Sequence, residues 1–183
     1  MILVASVKTP LGIFLAAASE QGVLRLGFPG ENKKCFVKEL ENLYGKCYIL
    51  EDRMSYFDNP IIERLRKELQ EYFEGIRTNF SVPLDLRGTS FQKRVWSELI
   101  KIPYGRVKSY GKIAEELGNP RAARAVGMAN NRNPVPILVP CHRVVGRDGS
   151  LVGYGGGLEI KKFLLELEGV KISGGRCVME EQI

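Results

Sequence analysis

Residues 110–130 read YGKIAEELGNPRAARAVGMAN, from Tyr110 to Asn130, and their punctuation decides the fold. Tyr110, Ile113, Ala114 and Leu117 recur at helical spacing, and Gly118 stops that helix. Asn119 is expected to cap the next helix and Pro120 to take its first position, ahead of RAARAVGMAN. Helix, tight turn, helix is the sequence form of a helix-turn-helix. In the second helix Arg121 and Arg124 rise from a bed of Ala122, Ala123, Ala125, Gly127 and Ala129. Small side chains admit a close neighbour, whether another helix or a nucleic-acid backbone, and the arginines can bind phosphate or probe a groove.

Working outward, Thr89 and Gln92 form a T-x-x-Q capping box, with Phe91, Val95 and Leu99 as the buried stripe of the helix it opens. The stretch before it, SVPLDLRG over 81–88, has a proline, a glycine and no helical stripe. The domain boundary is expected there, giving residues 1–82, a second domain over 83–175 and a tail over 176–183. In the first half, segments 1–8, 12–18 and 22–28 read as strands, and Leu24, Leu26 and Phe28 alternate with Arg25 and Gly27 as on a strand with one wet face. Asn32 can cap a helix with the stripe Phe36, Val37, Leu40, Leu43 and Tyr44; a strand-like run follows at 47–50. Asn59-Pro60 opens another helix, with Ile62, Leu65, Leu69 and Phe73 on one face. The class is mixed α/β of the α+β kind. It comprises a small N-terminal α+β domain with an antiparallel sheet and a mainly helical C-terminal domain like a winged helix-turn-helix.

The net charge is +6, and its placement is informative. Residues 1–82 hold 11 basic and 11 acidic side chains, whereas 83–183 hold 16 and 10, the whole excess. Between Arg87 and Arg147 there are 12 basic residues against 3 acidic. Such packing of one sign indicates either a polyanion-binding face, with nucleic acid foremost, or a solvated basic surface without a partner. No apolar run approaches the roughly 20 residues that span a bilayer, and no signal peptide opens the chain, so a cytoplasmic protein is expected. The four cysteines (Cys35, Cys47, Cys141, Cys177) include no C-x-x-C, and there is one histidine. No metal site is expected, and free thiols fit a reducing cytosol better than a Cys35–Cys47 pair flanking a helix.

That histidine adjoins a cysteine in NPVPILVPCHRVVG, residues 133–146. Pro134, Pro136 and Pro140 stiffen the mount of Cys141 and His142. A cysteine attacks as its thiolate, and an ordinary thiol is only a few per cent ionised near neutrality, so a neighbouring base through one bridging water is chemically apt. A buried structural pair gives the same dipeptide. In GLEIKKFLLELEG, residues 157–169, Ile160, Phe163, Leu164 and Leu167 form the expected buried stripe, with Glu159 and Glu166 in reach of Lys162. Glu168 falls on the apolar side at the helix C-terminus, where the dipole disfavours an anion. It either orients His142 or lies in a frayed last turn.

FQKRVW (91–96), YGRVKSYGKIA (104–114), GNPRAARAVG (118–127), PVPILVPCHRVVG (134–146), YGGG (154–157) and LLELEG (164–169) together resemble the O6-alkylguanine-DNA alkyltransferases. The resemblance implies a ribonuclease-H-like first domain and a helix-turn-helix that enters the minor groove of double-stranded DNA. It implies a monomer that flips out O6-alkylguanine and moves the alkyl group onto Cys141, once, without cofactor or metal. By the same resemblance His142 draws off the thiol proton through a water, Glu168 orients His142, and Asn133 is the hinge to the active-site loop. Tyr110 would donate to a ring nitrogen of the flipped base, and Arg124 would fill the gap in the stack. Val144, Tyr154 and Pro136 match pocket walls. Gly155 stands where many members carry serine, which leaves the contact to O6 to a backbone N–H. Ala122, Ala123, Ala125 and Gly127 would lie against the DNA. Repair of O4-alkylthymine is a weaker expectation.

Three other readings compete. A non-catalytic binder of alkylated DNA would not need Cys141. A Cys-His-Glu hydrolase would leave the basic helix-turn-helix without a use. A transcription regulator would want more Asn and Gln on its recognition helix.

Overall fold

The computed structural model describes residues 1–49 and 59–178. The chain divides into two compact units, 1–87 and 88–183.

The first unit is built on strands β1 (Ile2–Thr9), β2 (Gly12–Ala18), β3 (Val23–Gly27) and β4 (Cys47–Ile49), with helices α1 (Lys33–Tyr44) and α2 (Pro60–Phe73). The sheet order is β3-β2-β1-β4. The first three strands form the expected antiparallel meander, and β4 joins β1 in parallel at the far edge. Leu50, expected to end that strand, lies outside the described residues. The Asn32 and Asn59 side chains cap α1 and α2, satisfying amides that the helices leave open. Phe36 and Leu40 of α1 pack on Ile2, Val4, Leu15, Ala17 and Leu24. Leu43, expected in that stripe, is 61% exposed, and Cys35 lies inside α1 rather than flanking it. On α2 the buried set is Ile62, Leu65, Leu69 and Tyr72, with Phe73 at the margin.

Two polar side chains decide details that hydropathy misses. Arg25 of β3 is not on a wet face: it pairs with Glu31 and Glu39 and lies over the Phe36 ring at 4.6 Å. Buried Glu68 of α2 accepts from the amides of Ser81 (2.8 Å) and Val82 (3.0 Å), from Ser81 Oγ (2.6 Å) and from Arg64 Nε (2.9 Å). It thereby holds residues 81–82 against the helix. The chain then runs alongside β3: Val23 N–H donates to Pro83 O (2.8 Å), and Asp85 N–H donates to Val23 O (2.9 Å). Residues 83–87, expected to open the second domain, are therefore part of the first.

The second unit contains α3 (Ser90–Ile100), β5 (Lys108–Ser109), α4 (Tyr110–Glu116), α5 (Ala123–Asn131), β6 (Val144–Val145), α6 (Leu158–Leu167), β7 (Ile172–Ser173) and β8 (Arg176–Cys177). The Thr89–Gln92 capping box is formed in both directions. Val95, Trp96 and Leu99 bury α3, and Trp96 Nε1–H donates to Ala129 O at 2.9 Å, fixing α3 to α5. Asn119 does not cap. Its amide is used on Ala114 O, with Gly118 N–H on Glu115 O, to close α4 through left-handed Gly118 (φ 79°). Residues Pro120–Ala122 form one 3-10 turn, and α5 proper starts at Ala123. β5 pairs in parallel with β6. Arg176 and Cys177 belong to a two-stranded ribbon with β7 rather than to a tail, and residues 179–183 lie outside the described residues.

Helix α6 is turned by one position from the expected stripe. Lys161, Leu164, Leu165 and Glu168 are buried, while Phe163 is 39% exposed. Lys162 lies 3.9 Å from Glu166, and no ion pair of Glu159 is found among the described residues. No helix of the described residues is long and apolar enough to cross a membrane.

Candidate active site

The residues from Asn133 to Val144 form a buried turn that carries the Cys-His pair. Val139 N–H donates to Val135 O (3.0 Å), Cys141 N–H to Val139 O (2.8 Å) and Arg143 N–H to Pro140 O (3.0 Å). Pro136 and Val139 are joined as a β-bridge. Between them Ile137 adopts φ 74°, costly for a β-branched residue at about 1–3 kcal/mol, and its burial to 1% holds it there. Asn133 ties the turn together. Its Nδ2 donates to Val139 O (2.8 Å), its Oδ1 accepts from Val135 N–H (3.1 Å), and its side chain also hydrogen-bonds Cys141.

Cys141 is 5% exposed, and the groups around its sulfur are polar: the Asn133 amide, the Tyr110 hydroxyl and the Lys161 ammonium interact with it. Burial pushes the thiol up to about 11 against the downward pull of Asn133 and Lys161, so the resting group is a thiol. Tyr110 is likewise raised, to about 12, by burial and by Cys141, and keeps its proton at neutral pH. Its ring packs beside α5, where a methyl group added at Gly127 would meet it at 3.8 Å. Its hydroxyl makes a long 3.4 Å contact with Val152 O.

His142 is fully buried, with Nε2 2.7 Å from Glu168 Oε1. The carboxylate also takes Arg143 Nε at 2.8 Å on one oxygen and a terminal Arg143 nitrogen at 2.9 Å on the other, and Gly105 N–H at 3.2 Å. Burial would raise the Glu168 carboxyl, but the bonds and charges of His142 and Arg143 outweigh it and hold it down at about 2. Glu168 is thus an anion that only accepts, which assigns the proton to His142 Nε2 and leaves Nδ1 with a lone pair. Among the described residues Nδ1 has no hydrogen-bond partner. Burial, opposed by Glu168, lowers the imidazole and keeps it neutral.

The turn and α6 thus bring Asn133, Cys141, His142 and Glu168 together, with Tyr110 and Gly127 beside them. Val144 lies in β6 and is fully buried; Tyr154 is half-buried and Gly155 exposed in the following loop. Arg124 and Ala125 are exposed on α5, Ala122 and Ala123 half-buried near its start. Two buried cations escaped the sequence reading. Arg143 makes the bidentate bond to Glu168, and Lys161 Nζ donates to Val144 O (2.6 Å) and Val152 O (2.8 Å). Only the position of Arg143, directly after the Cys-His pair, hinted at it. Among the described residues no cluster of three or more His, Cys, Asp or Glu side chains could hold a metal ion, and the four cysteines are free.

Residues 90–170 match the family model described as 6-O-methylguanine DNA methyltransferase, DNA binding domain, and residues 2–86 match its ribonuclease-like domain. The chain is 44% identical over 163 residues to the methylated-DNA–protein-cysteine methyltransferase of Methanosarcina acetivorans, covering 88% of this chain and 95% of that one. The constitutive enzyme of that name from Bacillus subtilis is 43% identical over 162 residues, 88% and 92% of the two chains. Among solved structures, an O6-methylguanine methyltransferase of Mycobacterium tuberculosis superposes with a TM-score of 0.76 at 40% identity, covering 92% of this chain and 93% of that one. A Mycobacterium tuberculosis OGT in complex with DNA gives a TM-score of 0.76 at 40% identity over 91% and 92%.

Proposed function

The chain belongs to the methylated-DNA–protein-cysteine methyltransferase family, and from that premise we propose that Cys141 is the acceptor for the alkyl group of O6-alkylguanine in duplex DNA. Members of this family repair DNA by alkyl transfer to a cysteine, and this chain does the same. The observation that supports the assignment is the buried Asn133–Cys141 contact on a turn whose next residue, His142, meets Glu168 at 2.7 Å.

The steps follow from the side chains. Arg124 and the small-residue start of α5 enter the minor groove, and the damaged guanine leaves the stack at a cost of a few kcal/mol. Pro136, Val144, Tyr154 and Gly155 wall the pocket that receives it. His142 Nδ1 takes the Cys141 proton through a water, and Glu168 stabilises the imidazolium. The sulfur attacks the alkyl carbon as the carbon–O6 bond breaks, and Tyr110 donates its proton to a ring nitrogen so that guanine leaves neutral. The product is a thioether. No residue here removes it, so each molecule acts once and needs neither cofactor nor metal. A protein that acts on DNA works in the cytoplasm, or in the nucleus where the cell has one.

Incubation with duplex carrying labelled O6-methylguanine tests the reading. One label per protein should appear on Cys141, and Cys141→Ala should abolish transfer while DNA binding persists. Release of labelled methanol over many turnovers would mean a hydrolase; binding without transfer by the unaltered protein would mean a non-catalytic damage binder.

A further inference from the structure

A buried acceptor without a donor is rare, because folding then forgoes a bond that water gave the unfolded chain. Asn130 is 2% exposed, and its Oδ1 has no hydrogen-bond partner among the described residues. The same is true of His142 Nδ1, whose lone pair the proposed reaction uses. Asn130 Oδ1 has no such use. Its surroundings on α5 do not call for an amide: Val126 and Ala129 are buried beside it, and Trp96 bonds the Ala129 carbonyl rather than the Asn130 side chain. An apolar side chain would fill the position without stranding a polar atom.

Residues three apart on a helix share a face. Three positions before Asn130, a methyl group added at Gly127 would meet the Tyr110 ring at 3.8 Å. Three positions after it, Asn133 bonds Cys141, and the Asn133 N–H donates to Asn130 O (3.1 Å), which carries the turn past the end of the helix. The next residue, Asn131, lies with its amide 3.7 Å from a methyl group added at Gly153, and Tyr110 Oη is 3.9 Å from the same point. Asn130 is thus on one face with the contacts to Tyr110 and Cys141, in a helix that borders the loop before Tyr154. Its depth matches theirs: Cys141, which the alkyl group has to reach, is itself 5% exposed.

We infer that Asn130 is a specificity-determining residue of the base pocket, whose Oδ1 accepts a hydrogen bond from the 2-amino group of the extruded O6-alkylguanine. This rests on the proposed function, in which the damaged guanine enters beside Cys141. The base itself narrows the donor. Alkylation at O6 removes the N1 proton of guanine, so the exocyclic amine carries the only N–H groups that the base retains. A thymine alkylated at O4 has a carbonyl in that place and nothing to donate, so an acceptor here favours the purine. The contact forms only after the base has left the stack. It shifts the balance between stacked and seated base, and is therefore read in the transfer rate at saturating duplex, not in affinity for undamaged duplex.

The test is single-turnover transfer to Cys141 from duplexes carrying O6-methylguanine or O6-methylhypoxanthine, which differ only in the 2-amino group, by wild type and Asn130→Leu. Wild type should transfer from O6-methylguanine about tenfold faster, the worth of one hydrogen bond. Asn130→Leu should lose that advantage on O6-methylguanine and lose nothing on O6-methylhypoxanthine, so that the two rates converge. Equal losses on both duplexes would make Asn130 a support of the turn and overturn the inference, and so would a variant that keeps the wild-type preference. Should leucine prevent folding, Asn130→Ala gives the same comparison. Failure of wild type to label Cys141 from O6-methylguanine would instead overturn the proposed function.

Discussion

Glu168 Oε1 stands 2.7 Å from His142 Nε2, and both oxygens of the same carboxylate are engaged by Arg143. One anion therefore serves two buried partners 25 and 26 residues earlier in the chain. Glu168→Gln keeps the shape and removes the charge. It leaves Arg143 uncompensated and lets an amide N–H face a nitrogen it cannot satisfy. Transfer should fall by about 10²–10⁴-fold, the usual worth of a positioned base. Stability should fall by about 3–5 kcal/mol, as when one partner of a buried ion pair is removed. Single-turnover label transfer and urea unfolding measure the two losses. A variant within threefold of the wild-type rate would show that His142 needs no orienting anion.

Acid should erase that difference in stability. The Glu168 carboxyl sits at about 2 in the folded protein against 4.5 ordinarily, so the folded state holds fewer protons below 4.5. Its contribution is complete above pH 4.5 and disappears as pH falls towards 2. It amounts to about 3 kcal/mol for that displacement. His142 acts in the same direction at higher pH: its imidazole is lowered from 6.5, so unfolded chains gain a proton below 6.5 that the folded chain refuses. The stability gap between wild type and Glu168→Gln should therefore hold from pH 7 to 5 and close by about 3 kcal/mol between pH 5 and 2. An equal gap at pH 3 and pH 7 would contradict the depressed carboxyl.

The difference between what the sequence disclosed and what it hid lies in where the partners are. Asn32, Asn59 and Thr89 cap helices through amides two or three residues away, so local spacing suffices to find them. The same logic put Cys141 beside His142 and made Glu168 conspicuous as an anion at a helix C-terminus. Lys161 offered no such sign. Ile160, Phe163, Leu164 and Leu167 form as good an apolar face as the one the protein uses, and distant partners select between them: the carbonyls of Val144 and Val152 for Lys161, and His142 and Arg143 for Glu168. Asn119 misled for a related reason: its amide closes α4, which leaves its side chain no part in starting α5. Residues 83–87 bond to a strand some 60 residues earlier, a partner that local spacing does not reveal.

Tyr110 offers a substitution with little structural consequence. Its hydroxyl makes a long 3.4 Å contact with Val152 O and faces Cys141, while its ring packs near Gly127. Tyr110→Phe should fold with wild-type stability and bind undamaged duplex normally. At about 12 its proton stays on oxygen across the working range, so the wild type is a donor throughout. Without that donor, guanine must leave as an anion, and transfer should slow about 10²-fold. The loss should be the same from pH 6 to pH 9. A deficit that vanishes with rising pH would show that Tyr110 does not act as a proton donor.

Arg124 separates grip from base extrusion. It is exposed on α5 and makes no hydrogen bond or ion pair among the described residues, so Arg124→Ala should change folding by less than about 0.5 kcal/mol. If its guanidinium only neutralised a phosphate, its loss would weaken binding to every duplex and reduce the slope of log affinity against log salt by about 0.9. The proposed role is to occupy the space of the extruded base, between the small residues of α5 and the DNA. Binding to undamaged duplex should then change little, while transfer from O6-methylguanine falls tenfold or more. Fluorescence of 2-aminopurine placed beside the lesion should lose the rise that reports unstacking. An unchanged fluorescence rise together with a lower salt slope would make Arg124 a phosphate contact and leave extrusion to other residues of α5.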